Sequence, residues 1–176
     1  MKKMNKIFAL FQKVLLVALV LVSALAFLPT AIASADDGTP PGVDPARVQE
    51  AYAKLLEWYN HQTGWMSRAD SIVTKTQNLI NEAAARGYDV SAVQSALDAF
   101  VAAYPNAIVY NQQAGEIVAT HAGFDENGTV TDLSAAIQTV RSLQQALKTA
   151  HETMNGTGQA LRQAIRTFID ANKPQN

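Results

Sequence analysis

A loop in the second half of the chain carries a partial calcium-binding motif. Aligning Gly128 with the invariant glycine of a 12-residue calcium loop places Asp125 and Asn127 at ligand positions three and five. The first and twelfth positions, on which such a loop depends most, hold Gly123 and Ser134 instead of Asp and Glu. The pattern therefore favours a polar turn built on Asn127-Gly128. The alternative is a calcium site, for which Asp125 and Asn127 are the candidate ligands.

The three histidines suggest a second metal site. If helices joined by short loops run antiparallel, His61 and His121 lie within roughly 8 Å of each other along the axis, at about 1.5 Å per residue. His151 then lies roughly 20 Å away, which excludes a site built from all three histidines. His61 and His121, with Glu116 as a third group, are candidate zinc or haem ligands beside the simpler interpretation of exposed or interface histidines.

Aromatic residues at helical spacing could also line an apolar ligand pocket, although at this spacing they are more often part of a core. They are Tyr52, Trp58, Tyr59, Trp65, Tyr104 and Tyr110.

The sequence lacks the common signatures of catalysis. It contains no nucleophile elbow, phosphate-binding loop, H-E-x-x-H zinc motif or paired-carboxylate pattern. The lack of cysteine excludes disulfides and thiol catalysis. The 14 basic residues against 15 acidic ones do not form the basic excess that is typical of nucleic-acid-binding proteins. We therefore expect no enzyme activity, no cofactor and no nucleic-acid partner.

The first 35 residues have the organisation of a secretory signal peptide. Residues 1–13 contain four lysines and no acid, residues 14–28 are apolar, and Ala33-Ser34-Ala35 offers a peptidase site. Cleavage between Ala35 and Asp36 would release the protein into the periplasm or outside the cell. The alternative is an uncleaved anchor, for which this apolar run is short beside the roughly 20 residues of a span. Membrane contact is expected only through this segment.

Cleavage would leave a mildly acidic chain. Four of the 14 basic residues lie in the signal, so ten would remain against 15 acidic residues. Residues 36–43 form a Pro/Gly-rich leader that is predicted to be flexible. A single helical domain is predicted over 44–172, followed by a disordered tail at 173–176.

Apolar residues spaced by three and four predict three long helices in the domain. The predicted core positions include Val48, Leu55, Gln62, Asn111, Leu143 and Leu147. The expected spans are about 45–86, 90–120 and 132–172. The helix starts are expected to be capped by Asp44, by Asp89 and by either Asp132 or Thr131. The first two helices are expected to end at Gly87 and Gly123.

Short connections between long helices predict an elongated antiparallel three-helix bundle. Pro105 removes a backbone donor and clashes with the preceding turn, so the second helix should be kinked there. The run Asn155-Gly156-Thr157-Gly158 weakens the third helix, because two glycines cost roughly 2 kcal/mol in helix propensity. A break near Gly156, which would give four helices, is the alternative.

The stretch 84–147 resembles uncharacterised secreted all-helical bacterial proteins. The resemblance lies in AARGYDVSAV (84–93), HAGFDENGTVTD (121–132) and TVRSLQQAL (139–147). It brings no named family, no activity and no site residues.

These patterns lead to one expected function and one alternative. We expect an exported, non-enzymatic helical bundle with coiled-coil-like packing that acts through a protein partner or self-association, as an envelope scaffold or a chaperone-like factor. The alternative is a small-molecule or metal carrier that uses the interior of the bundle.

Overall fold

The computed structural model describes residues 42–172, which form three α-helices packed against each other. They are α1 (Pro45–Ala84), α2 (Ser91–Thr120) and α3 (Leu133–Ala171). This part of the chain contains no β-strand, only an isolated antiparallel bridge between Phe124 and Val130. The predicted all-α class is therefore confirmed. The predicted signal segment, the leader up to residue 41 and the tail lie outside the described residues.

None of these three helices combines the length and the apolar character that a membrane crossing requires.

The three helices begin with the aspartate caps that the sequence predicts. In each case the carboxylate Oδ1 accepts a backbone N–H from the first helical turn, which otherwise lacks a partner. The pairs are Asp44 with Ala46 (2.9 Å), Asp89 with Ser91 (3.0 Å) and Asp132 with Ala135 (3.1 Å).

The end of α1 is closed by the predicted glycine cap. Gly87 adopts a φ of 83°, in the left-handed region. Its N–H donates to the Ala84 carbonyl at 2.9 Å, and the N–H of Tyr88 donates to the Ala83 carbonyl at 3.2 Å. These two bonds form a Schellman motif, which satisfies carbonyls that the helix itself leaves free.

The third helix continues through its glycines, so the alternative of a break near Gly156 is wrong. Met154 and Leu161, on either side of the weak stretch, are both buried. Burying a large apolar side chain contributes about 1.5–3 kcal/mol, which offsets the roughly 2 kcal/mol of lost helix propensity. Thr157 also donates its hydroxyl to the Met154 carbonyl at 3.2 Å.

The described chain divides into two compact units, each built from a segment of every helix. Unit 1 contains residues 66–105 and 152–172, and unit 2 contains residues 42–65 and 106–151. In unit 1, Gln77 and Gln94 exchange two side-chain hydrogen bonds of 2.8 and 3.0 Å. Tyr104 donates its hydroxyl to the Met66 carbonyl at 2.7 Å in the same unit. These bonds tie α1 to α2.

The core of unit 2 follows the apolar spacing of the sequence. Val48 and Leu55 on α1 pack in one cluster with Leu143 and Leu147 on α3, and all four are inaccessible to solvent or nearly so. Gln62 on α1 and Asn111 on α2 lie at predicted core positions and are also buried. Their polar groups need partners in this apolar setting.

The buried amides of unit 2 bond to each other. Gln62 donates to Asn111 Oδ1 at 3.1 Å, and Asn111 donates to Thr63 Oγ1 at 3.0 Å. We expect Asn111→Leu to lower the free energy of unfolding by about 1–3 kcal/mol, because it leaves the Gln62 amide buried without its partner. The double variant Gln62→Leu/Asn111→Leu should differ from the parent by about 1 kcal/mol or less, because both polar groups are gone.

Urea denaturation of the parent, the single variants and the double variant measures this coupling. If the cost of the double variant equals the sum of the two single costs, the two amides do not stabilise each other.

Candidate functional site

Unit 2 carries a groove beside the loop that was a candidate calcium site. It has a volume of about 730 Å³. Its walls come from the start of α1, from the end of α2 and from the loop. We call it the acidic groove, because three carboxylates, those of Glu50, Asp125 and Glu126, line it together with His121 and Asn127.

The loop at the acidic groove is held by hydrogen bonds to one aspartate. Asp125 Oδ1 accepts the backbone N–H groups of Asn127 at 2.9 Å and Thr129 at 2.8 Å. The Asp125 N–H donates to the Thr129 carbonyl at 2.9 Å, which closes the turn. The polar turn that the sequence favours at Asn127-Gly128 is therefore present, and Asp125 orders it.

The bond from Thr129 and those from its neighbours lower the pKa of the Asp125 carboxyl below the ordinary 3.8, although partial desolvation opposes them. Because the folded pKa is below the unfolded one, the stabilisation is present above pH 3.8 and is lost as the pH falls through the folded pKa. A carboxyl ¹³C titration of the folded protein should give a midpoint below 3.8, and the urea-unfolded protein should titrate near 3.8. Equal midpoints in the two states would contradict this assignment.

Phe124 attaches the loop to α1 through a buried aromatic contact. The sequence analysis did not identify this residue. Its side chain is 5% exposed, and its ring stacks on that of Tyr52 from α1, with centroids 4.0 Å apart and planes at 12°. Phe124 and Val130 pair across the loop as an isolated bridge. The sequence signal that could have predicted this contact is the pair of apolar residues flanking a short polar turn.

Burial raises the pKa of the Tyr52 hydroxyl.

The structure brings some of the candidate metal ligands together and leaves others apart. Asp125, Asn127 and His121 line the acidic groove, whereas His61 is exposed on α1 and does not line it. Among the described residues, no three His, Cys, Asp or Glu side chains are grouped to hold a metal ion. His121 has a φ of 36°, a left-handed conformation that is uncommon outside glycine.

His151 packs against another helix, which agrees with the interpretation of an interface histidine. It is buried, and its ring meets that of Trp58 edge-on at a centroid distance of 6.3 Å. The contact joins α3 to α1 within unit 2.

A second groove of unit 2 lies between α2 and α3. We call it the α2–α3 groove, and its volume is about 830 Å³. It is lined by Tyr110, Gln113, Ile117, Arg141, Ser142, Gln144, Gln145, Ala146 and Thr149.

The lining of the α2–α3 groove is largely polar. It contains the guanidinium of Arg141, which is half-buried, and side-chain amides and hydroxyls. Neither a carboxylate nor a histidine is among its lining residues. Such a surface can donate and accept hydrogen bonds and can pair with one negative charge.

Val109 leaves an apolar surface close to this groove. It is 50% exposed and lies one helical turn from Gln113 on α2. Val101, nearer the start of the same helix, is also exposed, at 44%.

Comparison of the chain with protein-family models, with curated proteins and with solved structures finds no match.

Proposed function

We propose that this protein is an exported, non-enzymatic helical protein that acts by binding another protein through the α2–α3 groove. The observation that carries the proposal is the lining of this groove, which combines amides, hydroxyls and one guanidinium with the apolar side chains of Ile117 and Ala146. Val109, which is 50% exposed, lies one helical turn before Gln113 and offers an apolar side chain near the groove. Protein interfaces combine an apolar centre with a polar rim in this way.

Export remains part of the proposal because of the signal-like first 35 residues. The antiparallel order of the helices and a kink of α2 at Pro105 likewise remain predictions, supported by the short connections and by the chemistry of proline.

The alternative of a carrier that uses the interior has less support. The core of unit 2 is filled by side chains such as Leu143 and Leu147, which are fully buried in one cluster. A ligand in that position would have to displace them, because protein interiors are close-packed. Native mass spectrometry distinguishes the two functions, since a carrier would retain an added small-molecule or metal mass.

Site-specific crosslinking tests the proposed interface in cells that express the full chain. In one variant a photo-reactive residue replaces Gln113, which is exposed and lines the groove. In the control variant it replaces Gln163, which is also exposed but lies on α3 in unit 1. We expect an adduct with one identified protein at position 113, none at 163, and loss of the adduct when Val109→Glu is added. Equal adducts at both positions, or none at either, would argue against this function.

A further inference from the structure

Side chains from two helices, α2 and α3, line the α2–α3 groove. Tyr110, Gln113 and Ile117 follow each other along α2 at spacings of three and four, and α3 forms the opposite wall from Arg141 to Thr149. The side chains of a helix from another protein can pack between those of α2 and α3, as ridges pack into grooves. Addition of a β-strand would require a free sheet edge, and residues 42–172 contain no sheet. A helix is therefore the occupant that fits best.

The two grooves of unit 2 differ in the charged side chains that line them. Its described residues carry four basic side chains and seven carboxylates, the latter being Asp44, Glu50, Glu57, Glu116, Asp125, Glu126 and Asp132. Three of the seven carboxylates line the acidic groove, and none lines the α2–α3 groove. In the acidic groove Glu50 is paired with Lys54 at 2.6 Å, which leaves Asp125 and Glu126 as its other carboxylates. A negatively charged helix would thus be attracted to Arg141 and repelled by Asp125 and Glu126, which favours the α2–α3 groove.

Arg141 is well placed to bind a carboxylate. It is half-buried, so its guanidinium is screened less by water than a fully exposed one. Guanidinium groups bind carboxylates through two parallel hydrogen bonds, which are shorter and stronger than neutral ones. Close by, the Gln145 amide donates to Thr149 Oγ1 at 3.1 Å, so this polar wall is already ordered before a partner binds.

The apolar part of the groove is narrow. Ile117 and Ala146 contribute it together with the ring of Tyr110, and the exposed Val109 lies one helical turn before Gln113 on α2. A matching helix needs a stripe of small or medium apolar residues and polar residues beside the stripe.

We propose that the α2–α3 groove binds an amphipathic helix of a partner protein and that a carboxylate beside the apolar stripe of this helix pairs with Arg141. This inference rests on the proposed function and specifies the chemistry of the partner.

Three synthetic helical peptides test the proposal with defined probes. They share one Leu/Ala stripe and carry Glu, Gln or Lys at the positions beside it. Fluorescence anisotropy measures their binding to the protein recovered after expression of the full chain. We expect the Glu peptide to bind about tenfold more tightly than the Lys peptide, as one charge-assisted hydrogen-bonded pair would give. Raising NaCl from about 50 mM to about 500 mM should reduce this ratio.

Variants of Arg141 assign the preference to this residue. Arg141→Gln should remove the difference between the Glu and Lys peptides, and Arg141→Glu should reverse it. Arg141→Lys should keep only part of it, because an ammonium retains the charge but cannot form the two parallel hydrogen bonds. Lys75→Gln, an exposed charge on α1 in unit 1, changes the net charge equally and should leave the ratio as it is. Circular dichroism checks that each variant folds. If Arg141→Gln does not fold, the salt dependence of peptide binding to the parent protein tests the pair between Arg141 and the peptide carboxylate.

The remaining outcomes separate this inference from the proposed function. If the three peptides bind equally and Val109→Glu weakens all of them, the groove binds a helix without a carboxylate contact and only the inference fails. If the protein self-associates in sedimentation and Arg141→Gln abolishes this, the occupant is a second copy and the inference also fails. If no peptide binds and the crosslinker at position 113 gives no adduct, both proposals fail.

Discussion

Replacement of Gly123 by alanine should be among the most destabilising single-methyl changes in this protein, at about 3–5 kcal/mol. A Cβ atom at this position would lie 2.2 Å from the Ala136 nitrogen, 2.7 Å from the Ala136 Cα and 2.7 Å from the Asp132 carbonyl oxygen. All three are backbone atoms of the start of α3, which cannot move without shifting the helix. The φ of 83° adds a conformational cost for any residue with a side chain.

Gly128→Ala is the matched control for this prediction. Gly128 has nearly the same φ, 80°, but the nearest atom to its added Cβ would be Tyr52 Cδ1 at 3.9 Å, an ordinary contact. This variant should therefore show the backbone cost alone, about 1–2 kcal/mol. Urea denaturation followed by far-UV circular dichroism measures both variants. Equal losses in the two would mean that α3 adapts to the added methyl at Gly123.

Phe124→Ala should lower the free energy of unfolding by about 3–5 kcal/mol, the usual cost of removing a buried phenylalanine ring. Phe124 belongs to the core cluster of unit 2, although it lies in a loop. Its ring stacks on Tyr52 at 4.0 Å, so the variant leaves a cavity between the loop and α1.

Phe124→Leu separates burial from stacking. Leucine keeps most of the apolar volume and loses the aromatic contact, so the expected cost is about 1 kcal/mol. A second measurement follows from the position of Phe124 beside Asp125. In Phe124→Ala the pKa of Asp125 should rise toward its ordinary value, because the hydrogen bonds from Asn127 and Thr129 need the ordered loop. An unchanged Asp125 titration would show that the turn forms without Phe124.

Gly123 and Phe124 are neighbours in the loop that forms part of the acidic groove. Gly123 allows the loop to lie directly on the start of α3, and Phe124 fixes it to α1. The acidic groove is formed partly by this loop. Its shape therefore depends on two residues that do not belong to its charged lining.

The local part of the fold was determined by the sequence alone. Spacings of three and four marked Val48, Leu55, Leu143 and Leu147 as core residues, and all are buried. The three aspartate caps and the glycine cap at Gly87 were also predictable. These features depend on neighbours within a few residues, because helical periodicity and capping are set by the chain's own backbone geometry.

Tertiary structure decided the features that depend on distant neighbours. Phe124 and His151 are buried because Tyr52 and Trp58 of α1 lie beside them, and no local spacing indicates such a contact. Val101 is exposed although its side chain is apolar, because burial requires a neighbour as well as an apolar side chain.

The candidate metal ligands and the groove show the same distinction. Residue types nominated Asp125, Asn127, His61 and His121, but only packing decided that His61 stays outside the acidic groove. The α2–α3 groove joins Tyr110 to Arg141 from different helices, and its lack of carboxylates is a property of the surface, not of any segment. Sequence determines which face of each helix is apolar, whereas packing determines which polar residues meet, because their neighbours come from elsewhere in the chain.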